Sequence, residues 1–413
     1  MSEGMSELES FFRPGQRIFV AGSSNEPTAL LDALFLGKDA ERLPSDLHFI
    51  QFPLAGYNRF DFTTLGADTL FTTFFMTPHL READPARLRF LPMQMRAVYD
   101  YLASDVDVVL LQVARNAAGE LCIGPNVDFV DAALGSAGTV IAELNHSFVA
   151  PAGAPLIDPE RIDYMIESDR PLFELAAPVI DDAAARIGEL VAELINDGDC
   201  IQTGIGGIPA AILARLGNKN DLGMHGGIVD DGGMELIKAG NVNGTNKPVD
   251  AGRHVAGMAL GSKALIDWLG RTPEVLFRPA SYTHEVGVIG RLPQFISINS
   301  AVEVDLYGQV NAEVAGGRQI SGTGGSVDFM RAAKASAGGR SIVAMNATAR
   351  RGEVSRIVPK VELVTALRTD VDMVVTEFGI ARLKSLPVRE RALALIAVAA
   401  PEFRDALAEQ LPR

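Results

Sequence analysis

Residues 106–112 are Val-Asp-Val-Val-Leu-Leu-Gln, an apolar run with the length of one buried β-strand. Because its Val and Leu residues do not alternate strictly with polar ones, the run predicts a strand covered on both faces, as in a parallel sheet. Helix-period stretches such as residues 29–35 lie between similar runs, which occur at residues 17–22, 139–144, 341–345 and 373–378. Strands that alternate with helices predict an α/β fold with mainly parallel sheets.

The length of the chain, 413 residues, is enough for two or three domains. Pro and Gly interrupt regular structure from Pro151 to Pro159, and residues 177–195 then have the pattern of one amphipathic helix. Gly-rich sequence follows the predicted end of that helix. We therefore expect two domains, residues 1–185 and residues 186–413.

Composition and charge argue against several classes of protein. Lys plus Arg number 37 against 52 for Asp plus Glu, and the resulting net charge of −15 disfavours a broad nucleic-acid-binding face. The two cysteines, Cys122 and Cys200, are too few for a disulfide framework or a four-thiolate metal site. His254 and His284 lack the spacing of a metal-binding pair and are predicted to be ordinary core or surface histidines. We expect no metal.

Hydropathy and the first residues of the chain bear on its location. No stretch reaches the roughly 20 uninterrupted apolar residues that a membrane-spanning helix needs. Residues 1–17 contain acidic residues, no basic residue before Arg13, and no apolar run of the kind that a secretory signal requires. We therefore expect a cytoplasmic protein without a targeting segment or a membrane partner.

The first of three Gly-rich elements is Gln-Thr-Gly-Ile-Gly-Gly-Ile-Pro-Ala at residues 202–210, before a helical pattern at residues 211–216. Gly206 and Gly207, followed by Pro209, would present free backbone N–H groups at the positive end of a helix, where a phosphate or an oxyanion binds well. A tight turn between strand and helix is the alternative. The spacing matches neither the dinucleotide-binding nor the P-loop pattern, so nucleotide-dependent chemistry has no support.

The second element, residues 316–326, has five glycines within ten residues. A loop that only reverses the chain needs one or two glycines, whereas a backbone that approaches a ligand closely benefits from more of them. The guanidinium of Arg318 would suit a phosphate or a carboxylate. We expect ligand contacts here from Arg318 and from three glycines, Gly322, Gly324 and Gly325.

The third element, residues 223–233, combines an imidazole with carboxylates between glycines. Side chains of these types exchange protons with a reacting group when they lie within hydrogen-bonding distance of it. Asp followed by Gly is equally a strong turn signal. The candidate acid/base residues are His225, Asp230 and Asp231, with a purely structural role as the alternative for each.

Several motifs together resemble the acetyl-CoA hydrolase/transferase family, which includes 4-hydroxybutyrate, acetate and succinate CoA-transferases. The most specific are residues 299–313 (Asn-Ser-Ala-Val-Glu-Val-Asp-Leu-Tyr-Gly-Gln-Val-Asn-Ala-Glu), 321–329 (Ser-Gly-Thr-Gly-Gly-Ser-Val-Asp-Phe) and 355–359 (Ser-Arg-Ile-Val-Pro). Residues 119–128 and 140–145 agree more loosely, and the likeness extends over about residues 15–405. It implies two related CoA-transferase-like α/β domains with the active site in the cleft between them.

The resemblance also implies substrates and assembly. Coenzyme A would be a cosubstrate, with no tightly bound cofactor, and the substrates would be an acyl-CoA and small carboxylates. Dimers or tetramers are usual for such folds, so we expect a homodimer or homotetramer. The acyl group itself is not indicated by any motif.

One residue that the resemblance leads us to expect is missing. Members of the family carry a nucleophilic glutamate two residues after the His of a Leu-Gly-x-His segment, and this carboxylate forms an enzyme-bound CoA thioester. An ungapped match places His225 on that histidine and Gly227 on the glutamate. A glycine has no side chain to attack with, so the glutamyl-CoA intermediate is not expected, and Gly227 is predicted only to line the substrate-binding site. Candidates to activate water or substrate instead are His225, Asp230, Asp231 and, from the first domain, Glu143.

Glu143 lies in the apolar strand at residues 140–144, where its charge needs a partner or a raised pKa, and a structural ion pair is its alternative role.

Three functions remain open at this point. The first is hydrolysis of an acyl-CoA thioester, or CoA or acyl transfer, without the glutamyl intermediate. The second is carbon–carbon cleavage of a β-keto acid or β-keto acyl-CoA. The third is CoA binding without catalysis.

Overall fold

A computed structural model describes residues 8–39 and 42–412. The described chain divides into two compact units: the first runs to Leu175 and includes Ala256–Tyr282, and the second comprises Ala176–Val255 and the residues from Thr283 onward. The domain boundary at residue 185 stays a prediction. Residues 1–7, which belong to the stretch on which the absence of a targeting segment was predicted, lie outside the described residues.

The first unit is built on a sheet whose strands are parallel apart from β6, which runs antiparallel to β5. The strand order is β4-β3-β2-β1-β5-β7-β8. Because the order reverses between β1 and β5, the carboxyl ends of these two strands border the crevice where open α/β sheets bind ligands. The strands are β1 (Arg17–Val20), β2 (His48–Gln51), β3 (Leu70–Thr73), β4 (Leu88–Phe90), β5 (Val108–Arg115), β6 (Leu121–Ile123), β7 (Thr139–Asn145) and β8 (Tyr164–Ser168).

Three helices of the first unit are α1 (Thr28–Asp39), α2 (Met95–Leu102) and α3 (Val130–Ser136). The first seven residues of β5 are all buried, so the apolar run at residues 106–112 does lead into a strand covered on both faces, although the strand itself is Val108–Arg115. Aromatic packing fills the core, where Phe49 stacks on Phe62 with ring centroids 4.8 Å apart. Together these layers hold the carboxyl ends of β1, β5 and β7 in fixed positions.

The second unit has a six-stranded sheet of order β10-β9-β11-β12-β13-β14, parallel except for the last strand. Its strands are β9 (Cys200–Gln202), β10 (Gly223–Met224), β11 (Phe295–Asn299), β12 (Arg340–Ala344), β13 (Met373–Thr376) and β14 (Gly379–Arg382). Its main helices are α4 (Asp182–Ala192), α5 (Gly207–Leu213), α6 (Asp231–Lys238), α7 (Ser326–Ala335) and α8 (Val388–Ala397). The α/β class with mainly parallel sheets is thus confirmed.

Shorter elements complete both units. The short helices are Lys263–Leu269, Ala280–Thr283, Val286–Ile289 and Arg404–Ala408. The short strands are Ile228–Val229, His254–Ala256, Met258–Ala259, Val275–Phe277, Glu303–Asp305, Val310–Asn311, Val314–Ala315, Arg318–Gln319, Thr348–Ala349, Val354–Ser355 and Ile357–Val358. Among the residues that the structure describes, no helix combines the length and the apolar character needed to cross a membrane.

Two predicted helix boundaries are wrong, for local reasons. The helix expected over residues 177–195 begins only at Asp182, because the Asp181 side chain accepts a hydrogen bond from the backbone N–H of Ala184 at 2.8 Å and caps the helix. The helix expected from residue 211 begins already at Gly207. Its cap is Gly206, whose φ of 114° suits a residue without a side chain.

Candidate active site

The carboxyl ends of the central strands of the second unit carry polar side chains that bond one another. The side chain of Asn299, at the end of β11, donates from Nδ2 to Gln202 Oε1 (3.1 Å) and to Ser297 Oγ (2.9 Å). Gln202 ends the neighbouring strand β9. The carboxyl ends of parallel strands meet at one edge of a sheet, where α/β proteins place their ligands. This edge is the candidate site of the second unit.

The segment that follows β10 lies at the same edge. His225 is fully buried, and its backbone N–H donates to the carbonyl of Ile201 at 3.2 Å. Gly226 packs closely on the strand end beside it, since a Cβ atom at position 226 would lie 3.1 Å from Gln202 Cγ. The glycines after His225 therefore keep this part of the backbone close to the end of β9.

One edge of the His284 ring faces two glycines, Gly227 and Gly325, which belong to different loops. A Cβ atom on Gly227 would lie 3.1 Å from Cε1 and 3.2 Å from Nε2 of the His284 imidazole. A Cβ atom on Gly325 would lie 2.3 Å from the same Nε2. The imidazole therefore occupies the space that a side chain at either position would enter. Phe329 on α7 also packs against the imidazole, with ring centroids 4.5 Å apart.

The environment of His284 keeps its ring neutral and oriented. The side chain is 1 % exposed, and Thr283 Oγ1 lies 2.8 Å from Nδ1. Burial lowers the pKa of His284 to about 3, and the neighbouring His225 contributes to this shift. The imidazole is therefore uncharged near neutral pH. No motif pointed to a site role for His284, because its contact with Gly227 joins segments that are far apart in the chain.

Asp230 and Asp231 begin helix α6. The Asp230 carboxylate accepts a hydrogen bond from the backbone N–H of Gly233 at 2.8 Å, which makes it the N-cap of the helix, and burial raises its pKa. Asp231 is the first residue of the same helix. The geometry of Asp230 supports the structural alternative that its sequence left open, and an acid/base role for either carboxylate stays a prediction.

The first Gly-rich element contains a packing constraint. A Cβ atom on Gly207 would lie 2.6 Å from the carbonyl oxygen of Val179, so the glycine allows two backbone segments of the second unit to approach closely. Gly206 precedes it as the helix cap with a positive φ. Both residues thus have a structural reason to be glycine, and their contact with a phosphate or oxyanion stays a prediction.

The second Gly-rich element serves two local structures. Gly316 and Gly317, with φ values of 58° and 73°, join the antiparallel strands Val314–Ala315 and Arg318–Gln319 in a tight hairpin. Arg318 is exposed on this hairpin. The remaining glycines of the element, Gly322, Gly324 and Gly325, lie before α7, and Gly325 is its N-cap. A ligand role of Arg318 and of these three glycines stays a prediction.

The first unit contains a cavity of about 520 Å³ at the carboxyl ends of β1, β5 and β7. Glu143 lines this cavity, but both of its carboxylate oxygens have partners. Oε2 accepts from the backbone N–H groups of Ala29 (2.7 Å) and Leu30 (3.3 Å) at the start of α1, and Oε1 accepts from Ser168 Oγ at 2.6 Å. The helix start stabilises the carboxylate. A catalytic role of Glu143 stays a prediction.

Other polar groups of this cavity were not singled out from the sequence. Burial raises the pKa of Glu26 to about 7, although Gln51 Nε2 donates to its carboxylate at 2.9 Å. Gln112 Nε2, from the middle of β5, is buried without a hydrogen-bond partner among the described residues. Arg59 and Arg170 add positive charge to the lining. The cavity therefore suits a polar ligand.

Within residues 8–39 and 42–412, no group of three His, Cys, Asp or Glu residues is arranged for a metal ion.

The chain belongs to the acetyl-CoA hydrolase/transferase family. Residues 261–411 match the model of the acetyl-CoA hydrolase/transferase C-terminal domain. The 4-hydroxybutyrate coenzyme A transferase of Clostridium kluyveri is 37 % identical over 407 residues, which are 96 % of this chain and 94 % of that protein. The family resemblance inferred from the motifs is therefore confirmed.

Solved structures agree with this assignment. The crystal structure of RipA from Yersinia pestis matches with a TM-score of 0.90 and 29 % identity, covering 98 % of this chain and 96 % of that one. The 4-hydroxybutyrate CoA-transferase abfT-2 from Porphyromonas gingivalis matches with a TM-score of 0.82 and 31 % identity, covering the same shares of the two chains. A further match is by sequence alone: an acetyl-CoA hydrolase of Yarrowia lipolytica is 29 % identical over 272 residues, which are 62 % of this chain and 51 % of that protein.

Proposed function

We propose that this protein is an enzyme that binds an acyl-CoA and either hydrolyses its thioester or transfers CoA to a small carboxylate, without a glutamyl-CoA intermediate. The observation that carries this proposal is at position 227, which the family resemblance assigns to the nucleophile. The residue there is glycine, and a Cβ atom on it would lie 3.1 Å from the imidazole of His284. A side chain fits at this point only if the His284 ring shifts by a few tenths of an ångström.

The relatives support the reaction class. They include CoA-transferases for 4-hydroxybutyrate and, in Anaerostipes caccae, for butyryl-CoA and acetate, together with an acetyl-CoA hydrolase. Both reactions begin with attack of an oxygen atom on a thioester carbonyl. In the absence of a protein nucleophile, water or the acceptor carboxylate attacks this carbon directly. The activity therefore depends on groups that bind the carbonyl oxygen and orient the acyl chain.

The start of α7 is suited to the negative charge that develops on that oxygen. The first backbone N–H groups of a helix have no partner within the helix, and they lie at its positive end. Gly325 is the cap of this ten-residue helix, and it has no side chain to cover these groups. Loss of one backbone or side-chain donor to an oxyanion typically costs roughly 2.7–4 kcal/mol of transition-state stabilisation.

The test is incubation of the purified protein with acetyl-, butyryl- and succinyl-CoA and with the β-keto thioester acetoacetyl-CoA, each with and without acetate. Mass spectrometry of the small molecules then reports free CoA, new thioesters and cleaved carbon chains in one measurement. Release of CoA or formation of acetyl-CoA from the other thioesters is the expected result. Products with shortened carbon chains from a β-keto acyl-CoA would favour the cleavage reaction instead, and binding without any product would favour a non-catalytic CoA-binding protein.

The absence of the covalent intermediate is tested on the protein itself. After incubation with acyl-CoA and treatment with borohydride or hydroxylamine, the intact mass is expected to be unchanged. A CoA adduct or a modified glutamate in this experiment would overturn the proposed mechanism, even if the protein turned over acyl-CoA.

A further inference from the structure

Two glycine-containing loops meet at one chemical group in the second unit. Gly227 follows β10, and Gly325 precedes α7, yet both pack on the Nε2 edge of the His284 ring. The family resemblance assigns the first position to the nucleophile, and the sequence predicts ligand contacts for the second. Nε2 therefore lies close to two positions with an expected role at the thioester carbonyl.

The neighbours of the ring fix its orientation. Phe329 on α7 packs on the imidazole, and Thr283 Oγ1 lies 2.8 Å from Nδ1. When the threonine hydroxyl donates to Nδ1, the hydrogen of the neutral ring is on Nε2, the atom that meets both glycines. In this tautomer the side chain presents a hydrogen-bond donor beside the start of α7.

We propose that His284 is a catalytic residue of this protein and that its Nε2–H donates a hydrogen bond to the carbonyl oxygen of a bound acyl-CoA thioester. The inference rests on the proposed function and names the residue that contributes where the carboxylate at position 227 is missing. A donor at this position stabilises the oxyanion of the tetrahedral intermediate, and it works together with the backbone N–H groups at the start of α7.

The reaction balances without a proton transfer to His284. An oxygen atom of water or of a carboxylate forms a bond to the carbonyl carbon, and the carbonyl electron pair moves onto the oxygen that His284 contacts. Collapse of this intermediate breaks the C–S bond and releases the CoA thiolate. With water, the products are the carboxylate and CoA, one proton going to the thiolate and one to solvent. With a carboxylate, the thiolate then attacks the other carbonyl of the resulting anhydride and releases the first carboxylate.

The electrostatic environment fits a neutral donor. Burial holds the pKa of His284 far below its ordinary value, and the adjacent positive end of α7 also disfavours an imidazolium cation. A neutral imidazole can donate to an oxyanion without the cost of a buried positive charge. The same depressed pKa makes the ring a weak base, which is why we assign it the role of a donor.

The test compares His284→Ala and His284→Gln with the wild-type protein, with acetyl-, butyryl- and succinyl-CoA as substrates. The amide N–H of glutamine can replace the Nε2–H donor, whereas glutamine cannot act as a base. We expect kcat to fall about 10²- to 10³-fold in His284→Ala with little change in KM, and to recover at least about tenfold in His284→Gln. The matched control is His254→Gln, another buried histidine of the same unit, with kcat within about twofold of wild type.

The outcomes separate the two proposals. Wild-type turnover together with an unchanged kcat in His284→Ala would overturn the role of His284 and leave the proposed function standing. A His284→Gln protein that melts like the wild type but is as inactive as His284→Ala would also overturn the donor role. A wild-type protein without turnover on any of the three thioesters would overturn the proposed function and, with it, this inference.

Discussion

Glu143 accepts a hydrogen bond from the backbone N–H of Ala29 at 2.7 Å and thereby ties strand β7 to the first turn of α1. The carboxylate is 1 % exposed, and a neutral amide in its place has one acceptor oxygen instead of two and no charge to interact with the start of α1. We expect Glu143→Gln to lower the free energy of unfolding by roughly 2–3 kcal/mol, measured by urea denaturation. The control is Glu167→Gln on the neighbouring strand, with a side chain 69 % exposed and an expected effect below about 0.5 kcal/mol. Equal effects of the two substitutions would contradict this role of Glu143.

A substitution at Gly325 tests how tightly the imidazole of His284 is packed. Alanine at this position adds a Cβ atom 2.3 Å from His284 Nε2 and 3.1 Å from Phe329 Cε2, while the φ of −98° imposes no backbone strain. We expect Gly325→Ala to destabilise the protein by about 1–3 kcal/mol and to abolish thioester turnover. Gly135→Ala in α3 is the control, since none of the described heavy atoms outside its neighbours lies within 4 Å. It should leave turnover intact and add up to about 1 kcal/mol of stability.

Restoring a glutamate at position 227 requires a second change. The single substitution Gly227→Glu would bring the new Cβ within 3.1 Å of the imidazole, so we expect an unstable or inactive protein. Gly227→Glu combined with His284→Ala removes this contact and gives the carboxylate space. The intact mass of the double variant should show a CoA adduct after incubation with acyl-CoA, whereas His284→Ala alone should show none. An adduct in the single Gly227→Glu variant with wild-type stability would refute the steric argument.

Glu26 makes stability depend on pH. Its pKa is about 7 in the folded protein and 4.5 when exposed, so between these values the folded chain holds a proton that the unfolded chain has lost. The free energy of unfolding contributed by Glu26 therefore falls by about 1.4 kcal/mol per pH unit across this window as the pH rises. Glu26→Gln removes this pH dependence, so the free energy of unfolding of the variant relative to wild type should rise from pH 4.5 to pH 7. A stability difference that stays constant with pH in urea titrations would argue against the buried carboxyl.

The fold class could be predicted because five of the strands, β1, β5, β7, β12 and β13, contain apolar runs that are visible in the sequence. The run at residues 106–112 is apolar throughout apart from Asp107 and Gln112. A continuous apolar run of this length is typical of a strand that is covered on both faces. Helix ends were predicted less accurately, since one capping side chain, such as Asp181, decides where the first turn begins. A hydrophobic pattern does not contain that information.

The candidate site was predicted only in part, for a geometric reason. The position of Gly227 is a local property of a motif, and it could be found by counting from His225. The proposed role of His284 depends on a contact between the segment after β10 and a segment more than 50 residues further along the chain. No residue spacing in the sequence predicts this contact. Residues that meet only through the fold, including Glu26 and Gln112 at the cavity of the first unit, were missed for the same reason.

The contact between Gly227 and His284 also restricts how this sequence can change over generations. A glutamate at position 227 would press on the imidazole unless that ring shifts or a smaller residue stands at position 284, and a smaller residue there leaves a void beside Phe329. Each of the two single replacements thus disturbs the packing, the first by crowding and the second by a void. Descendants of this chain that regain the glutamate are therefore expected to change position 284 as well.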